Sequence, residues 1–356
     1  MSCQRDLPQY AQEFECSFDA AMAGPCWASK LGVAGRTVGW THSFQFTLLF
    51  GLGRMQSHPL RRREAIALLA TIAVAWGTSW PIIKAILQDL PPLWTAGIRS
   101  VIGTAILFAI SAFRGTVVLP QRGDIPVVLN IALLHMVAFT GLISIGLQFV
   151  PAGRSVVLGY TTPLWVTIGA RLFLGEALTT SRIMGLIVGL SGLLFLFDPS
   201  TFDWSNHDAV IGNTLVLAAA LCWAASILHV RAHKWVSTPF QLVPWQALLA
   251  TCVLMLLALT FEGVPRIEWN ARLAVLLLYG GAIGIALPYW AMQTVNRSLP
   301  AITTALGLLA VPIVGVACSS IALGEPLNFA LLAATVLIIG GIAIGLSDPI
   351  GRLYRH

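Results

Sequence analysis

Ten apolar runs of about 20 residues, parted by short polar links, constrain this chain more than any other feature. They lie near residues 65–84, 93–113, 125–147, 152–174, 182–198, 209–230, 240–261, 271–292, 301–323 and 327–346. Twenty residues of α-helix rise about 30 Å, which is the depth of a bilayer's hydrocarbon core. Inside lipid, every backbone N–H and C=O must find its partner within a helix or a closed barrel. These runs are too long for barrel strands and lack a two-residue alternation, so they are expected to be helices. Charge usage agrees: only 10% of residues are charged and 57% are hydrophobic, where a soluble domain uses about 25% charge to coat its surface. The expected fold is an all-α membrane protein of ten transmembrane helices.

The chain says one thing twice. Residues 148–178 read QFVPAGRSVVLGYTTPLWVTIGARLFLGEAL, and residues 293–327 read QTVNRSLPAITTALGLLAVPIVGVACSSIALGEPL. Pro312 answers Pro163, and Leu323-Gly324-Glu325 answers Leu174-Gly175-Glu176, both at an offset of 149 residues. The polar break at Asp198–Asp208 then divides the ten runs into a repeat over 60–200 and a second over 208–347. Five crossings are an odd number, so the second repeat enters the membrane upside down relative to the first. Inverted repeats of this kind place a shared site at their interface, near the bilayer midplane.

Arginine and lysine set the orientation. With the start of the first run in the cytoplasm, inner links carry Arg61, Arg62, Arg63, Arg114, Arg122, Arg171, Arg182, Arg231, Lys234 and Arg297, with Arg352 and Arg355 in a cytoplasmic tail over 348–356. Outer links carry only Lys84, Arg154, Arg266 and Arg272. The positive-inside bias therefore puts both termini in the cytoplasm of a multi-pass protein of the cytoplasmic membrane. The net charge of +6 is accounted for by these scattered links, which argues against nucleic acid as a partner. Residues 1–54 do not conform: they mix charge, cysteines and aromatics, and their one apolar run, Phe44–Leu52, is too short to span. Either translation starts at Met55 or the stretch is a disordered cytoplasmic tail. The six cysteines form no CxxC pair, and Cys222, Cys252 and Cys318 fall inside apolar runs as packing residues.

Five stretches together resemble the EamA-type transporters of the drug/metabolite transporter superfamily. They are AWGTSWPIIKAIL (Ala75–Leu87), PPLWTAGIRSVIGTAIL (Pro91–Leu107), the helices of Pro163 and Pro312, and CWAASILHVRAHK (Cys222–Lys234), with Trp223 echoing Trp76. The resemblance covers about residues 60–347. It implies a ten-helix secondary transporter of small-molecule metabolites, often an exporter of amino acids or related compounds. The second half departs at its second helix, where Trp245 and Gln246 stand near the place of Arg99.

Charge within hydrocarbon is costly and usually faces a cavity. Arg99, about six residues into the second run, reads as an anchor for a substrate carboxylate or phosphate; the alternative is a structural arginine that snorkels or meets carbonyls. His135, mid-run in the third, reads as a substrate contact or proton carrier, or as a packing histidine. His229, beside Arg231 and His233, reads as an interfacial anchor. Aromatic and amide groups complete the candidate binding set: Trp76, Trp80, Tyr160, Tyr289 and Gln293. Ser79, Thr161, Trp290, Thr303 and Thr304 stand beside them. Pro81, Pro163, Pro288 and Pro312 are candidate hinges, since proline frees a carbonyl and bends a helix. The glycine pairs Gly185/Gly189, Gly280/Gly284 and Gly341/Gly345 fit close packing inside one chain or a homodimer contact through the fifth and tenth helices.

Every Asp and Glu near the runs (Glu64, Asp89, Asp124, Glu176, Asp198, Glu262 and Glu325) sits at or beyond an end. A mid-membrane carboxylate is the usual handle for organic cations, so the pattern favours anionic or zwitterionic cargo. There is no P-loop and no HExxH, so no nucleotide, metal or other cofactor is expected. An intramembrane enzyme or a non-transporting membrane subunit are the rival readings.

Overall fold

The structure, a computed structural model, describes residues 60–196, 203–299 and 301–347. The expected N-terminal extension, the tail and Asp198 lie outside them. Among the described residues all regular structure is helical. Among these residues nine helices are long and apolar enough to cross a membrane: α1 Arg62–Ile86, α2 Pro92–Phe113, α3 Arg122–Phe149, α4 Ala152–Phe173, α6 His207–Ala232, α7 Pro239–Glu262, α8 Ala271–Val295, α9 Thr303–Leu323 and α10 Phe329–Leu346. The described part of the remaining one, α5 Thr180–Leu196, is apolar and 17 residues long.

The packing pairs the halves. Helix α2 lies against α7 and α5 against α10, each with its own repeat mate. Helix α1 lies against α8 and α9, and α6 against α3 and α4, which is the same arrangement with the halves exchanged. Glycines permit the closest approaches. A Cβ on Gly185 would run into the Gly341 carbonyl and stand 2.6 Å from the Gly345 amide nitrogen, and one on Gly341 would strike the Gly189 backbone. The glycines of the fifth and tenth helices therefore serve a contact inside the chain. Gly77 likewise lets α1 meet Val314 and Gly315 of α9.

Among the described residues five helices carry irregular turns: α7 ends in π turns over Ala258–Glu262 that α2 does not match, and the other four fall at matching places in the two halves. Helix α4 breaks between Gly159 and Thr162, directly before Pro163, and α9 breaks at Leu309, three residues before Pro312. Proline cannot donate to the carbonyl four residues back. In α4 the loss is made good by hydroxyls: Thr161 donates to the Leu158 carbonyl at 2.7 Å and Thr162 to that of Gly159 at 2.8 Å. Threonine repair of this kind is what hydrocarbon demands of a broken helix. Helix α3 widens to π-helical turns over Ile131–Phe139, and α8 does so over Ala282–Ala286, just before Pro288. Of the four candidate hinges, Pro163 and Pro312 thus sit at breaks and Pro288 at a π segment, whereas α1 runs on through Pro81.

Candidate substrate-binding site

Wide turns and breaks in membrane helices expose backbone and redirect side chains, and they recur at functional sites. Here those of α3, α4 and α8 border one cavity of about 90 Å³ where the halves meet. Helix α1 turns a single face to it, with Trp76, Ser79, Trp80 and Ile83 at helical spacing. Helix α3 contributes His135, Phe139, Thr140 and Ile143 from its π segment and the turns after it. Tyr160 enters from the break in α4, Trp223 from α6, and Gly284 and Tyr289 from the π region of α8.

Among the described residues of the lining, Arg99 alone is formally charged. It is 3% exposed, and neither its Nε nor its Nη1 has a hydrogen-bond partner among the described residues. The sequence makes room for it. The Arg99 side chain lies across α8 where that helix has no side chains: a Cβ on Gly280 would stand 2.5 Å from Nε and 2.9 Å from Cδ, and one on Gly284 3.2 Å from Nη2. An ionised group kept from water without a partner costs several kcal/mol, roughly the worth of the bonds it could make to an anion.

The walls are aromatic, and Trp223 is their hub. Its ring stacks on His135 with centroids 5.1 Å apart and planes 9° from parallel. Phe139 lies 5.1 Å from Trp223, and Tyr160 meets it edge-on at 5.9 Å. Tyr289 meets His135 edge-on at 5.9 Å. Trp80, nearly buried, rests on Gly159, where a Cβ would stand 2.8 Å from its ring. Such a cage offers flat apolar faces and ring quadrupoles around one guanidinium. It can hold a small anion by its carboxylate while packing the remainder against rings.

Six of the seven residues marked in the sequence as binding candidates line this cavity: Trp76, Trp80, Arg99, His135, Tyr160 and Tyr289. Gln293, one turn beyond Tyr289 on α8, is half-buried and not among the lining. His229 lies towards the end of α6, with its ring 6.1 Å from that of His233, which in turn approaches the buried Asp124 at 3.8 Å. Sequence reasoning left out Phe139, Thr140, Ile143 and Trp223. The repeat carried the signal for Trp223, as the echo of Trp76, and Phe139 and Ile143 follow His135 at four-residue steps; nothing in a 3.6-residue period marks Thr140, five residues on, which the wider π turns bring round to the same face. A second cavity of about 480 Å³ lies farther along α4 and α6, bordered by Pro163, Thr167, Glu176, Arg182, Ile227 and Arg231 among others.

Comparison with known proteins places this geometry. Residues 63–198 and again 210–346 match the EamA-like transporter family. An uncharacterized transporter of Bacillus subtilis (strain 168), YvbV, is 31% identical over 80% of this chain and 92% of its own. A probable amino-acid metabolite efflux pump of Salmonella typhimurium is 28% identical over 80% of this chain and 94% of its own. A solved crystal structure shares the fold with a TM-score of 0.57 and 18% identity, over 80% of this chain and 96% of that one. The chain belongs to the EamA-like transporter family, and is a multi-pass membrane transporter built from two copies of one five-helix repeat.

Proposed function

We propose that this protein is a secondary transporter of the cytoplasmic membrane that moves a small carboxylate-bearing metabolite, an amino acid or a related compound, by alternating access. The observation that carries this reading is Arg99, buried with two unpartnered nitrogens beside an aromatic cavity between the halves. Trp76, Trp80, His135, Tyr160 and Tyr289 form the cage around the cargo, and Pro163, Pro288 and Pro312 sit at the turns that bend. A cavity of about 90 Å³ is small beside the ~300–1,000 Å³ of ordinary ligand pockets. Cargo therefore enters when the helices around it move, as a two-sided transporter requires. The names of the Salmonella relative and of a probable amino-acid metabolite efflux pump in Escherichia coli (27% identical) support export and this class of cargo. The surplus of arginine on one set of links supports cytoplasmic termini.

Purified protein in proteoliposomes, screened with radiolabelled amino acids and other small carboxylates, tests the reading. Arg99→Ala is expected to cut flux of the active compound roughly 100-fold, the worth of a lost charge-assisted pair, with insertion and yield intact. Unchanged flux in that variant removes Arg99 from the site. Absence of flux for every compound with the wild-type chain overturns the proposal.

A further inference from the structure

Along α4, on either side of Tyr160, the two Leu-Gly-Glu carboxylates that repeat in the sequence make different contacts. At one end, α4 begins after Pro151, a residue with no side chain that can cap a helix. Its first two amides, on Ala152 and Gly153, instead donate to Oε1 and Oε2 of Glu325 at 2.7 and 2.8 Å. The carboxylate of the second half's Leu-Gly-Glu exit thereby finishes a helix of the first half, with the helix dipole in its favour. The seam beneath is packed: a Cβ on Gly315 would stand 2.9 Å from Val156, and one on Gly153 3.6 Å from Ser319.

At the other end the equivalent carboxylate, Glu176, is spent differently. It accepts from Arg182 at 3.1 Å and from Arg231 at 2.5 Å, and all three border the 480 Å³ cavity with Thr167 of α4 and Ala305 of α9. The cations repeat as well. Trp76, Trp80 and Lys84 follow one another at four-residue steps on α1, as Trp223, Ile227 and Arg231 do on α6. Lys84 lies within electrostatic reach of Glu325. It donates to the Leu147 and Val150 carbonyls at 2.7 and 2.6 Å, just ahead of the start of α4.

We infer that Glu325 and Glu176 are alternating latches, residues that position the halves rather than touch cargo. The Glu325 end is closed here because its carboxylate caps α4 across the seam. The Glu176 end is open because Arg231 and Arg182 hold its carboxylate aside. In the opposite state Lys84 receives Glu325, as Arg231 receives Glu176 here, and Glu176 closes its own end. This rests on the alternating-access reading above.

Reporter cysteines test it in the full chain, reconstituted, with the six native cysteines replaced. Thr167→Cys borders the open cavity and Ser319→Cys lies under the closed seam. With a membrane-impermeant maleimide applied from each side, the first reporter is expected to label and the second to resist. Glu325→Gln keeps the shape and removes the charge of the cap. It is expected to raise Ser319→Cys labelling about fivefold, the worth of charge on a hydrogen bond, and to lower that of Thr167→Cys. Glu176→Gln is expected to shift both reporters the opposite way. Unchanged labelling, a rise at both reporters together, or the same shift in both variants overturns the latch. Labelling needs no cargo, so an absence of flux would overturn the transport reading and leave this result to stand or fall by itself.

Discussion

Arg99 in the first half and Gln246 in the second stand at corresponding depths on corresponding helices, α2 and α7, which pack on each other. Both are buried, at 3% and 2% exposure. Their neighbour Trp245 is turned away, donating its Nε1–H to the Val118 carbonyl at 2.8 Å. Around this pair the halves agree closely: Trp76 answers Trp223 in the cavity wall, one π segment answers another, and each half breaks its fourth helix before a proline. The walls of the site are thus a shared inheritance of both repeats, and its charge belongs to one. Gln246 is not among the residues described as lining the cavity, so one arginine serves it and leaves room for one anion. The α8 glycines Gly280 and Gly284 are the second half's adjustment to the first half's arginine.

Making the halves alike at this point is the strongest way to break the comparison. Arg99→Gln is expected to lower flux roughly 100-fold and at the same time to raise thermal stability, since it relieves the burial penalty of an ion that the halves do not pair, several kcal/mol per ion. Flux assays beside a melting curve in detergent check it; a fall in both would make Arg99 a structural residue. Gly280→Val puts a side chain where the guanidinium lies. It is expected to raise KM about tenfold, and to add nothing in the Arg99→Gln background, as coupled neighbours do. Trp223→Leu should cost more than Trp76→Leu, about tenfold against about threefold in flux, because ring contacts are worth about 0.5–1.5 kcal/mol each and Trp223 holds His135, Phe139 and Tyr160. Equal losses would mean that the cage is symmetric in energy as well as in sequence. Gln293→Ala is expected to change flux less than about twofold, the usual scale for a residue away from the site; a larger loss would extend the site along α8.

Much of this was open to reading in the chain itself. Apolar runs of membrane length gave the helices, and the doubled Leu-Gly-Glu and proline positions gave the halves. Arg99 could be picked out because an arginine inside hydrocarbon demands an explanation. Side-chain direction was harder. Thr140, five residues after His135, shares its cavity because π turns intervene, and a wide turn leaves no trace in a period count. Gln293 shares a helix with Tyr289 but sits a full turn, about 5.4 Å, farther along, so proximity in sequence did not bring it to the cavity. The pairing of Glu325 with the start of α4 was equally hidden. A carboxylate past a helix end reads as an ordinary surface acid until the partner helix is placed.

The glycine contact between α5 and α10 has a mechanical consequence. Two surfaces that interlock through side chains can slide, each rotamer yielding in turn, which is how shear motions proceed. Backbone resting on backbone, as at Gly185 and Gly341, has no such cushion to rearrange. These two helices are each other's repeat mates, so their contact lies on the axis that exchanges the halves. A fulcrum there would permit tilting about a fixed line and resist translation along it, which is the motion that the alternating access proposed above would need.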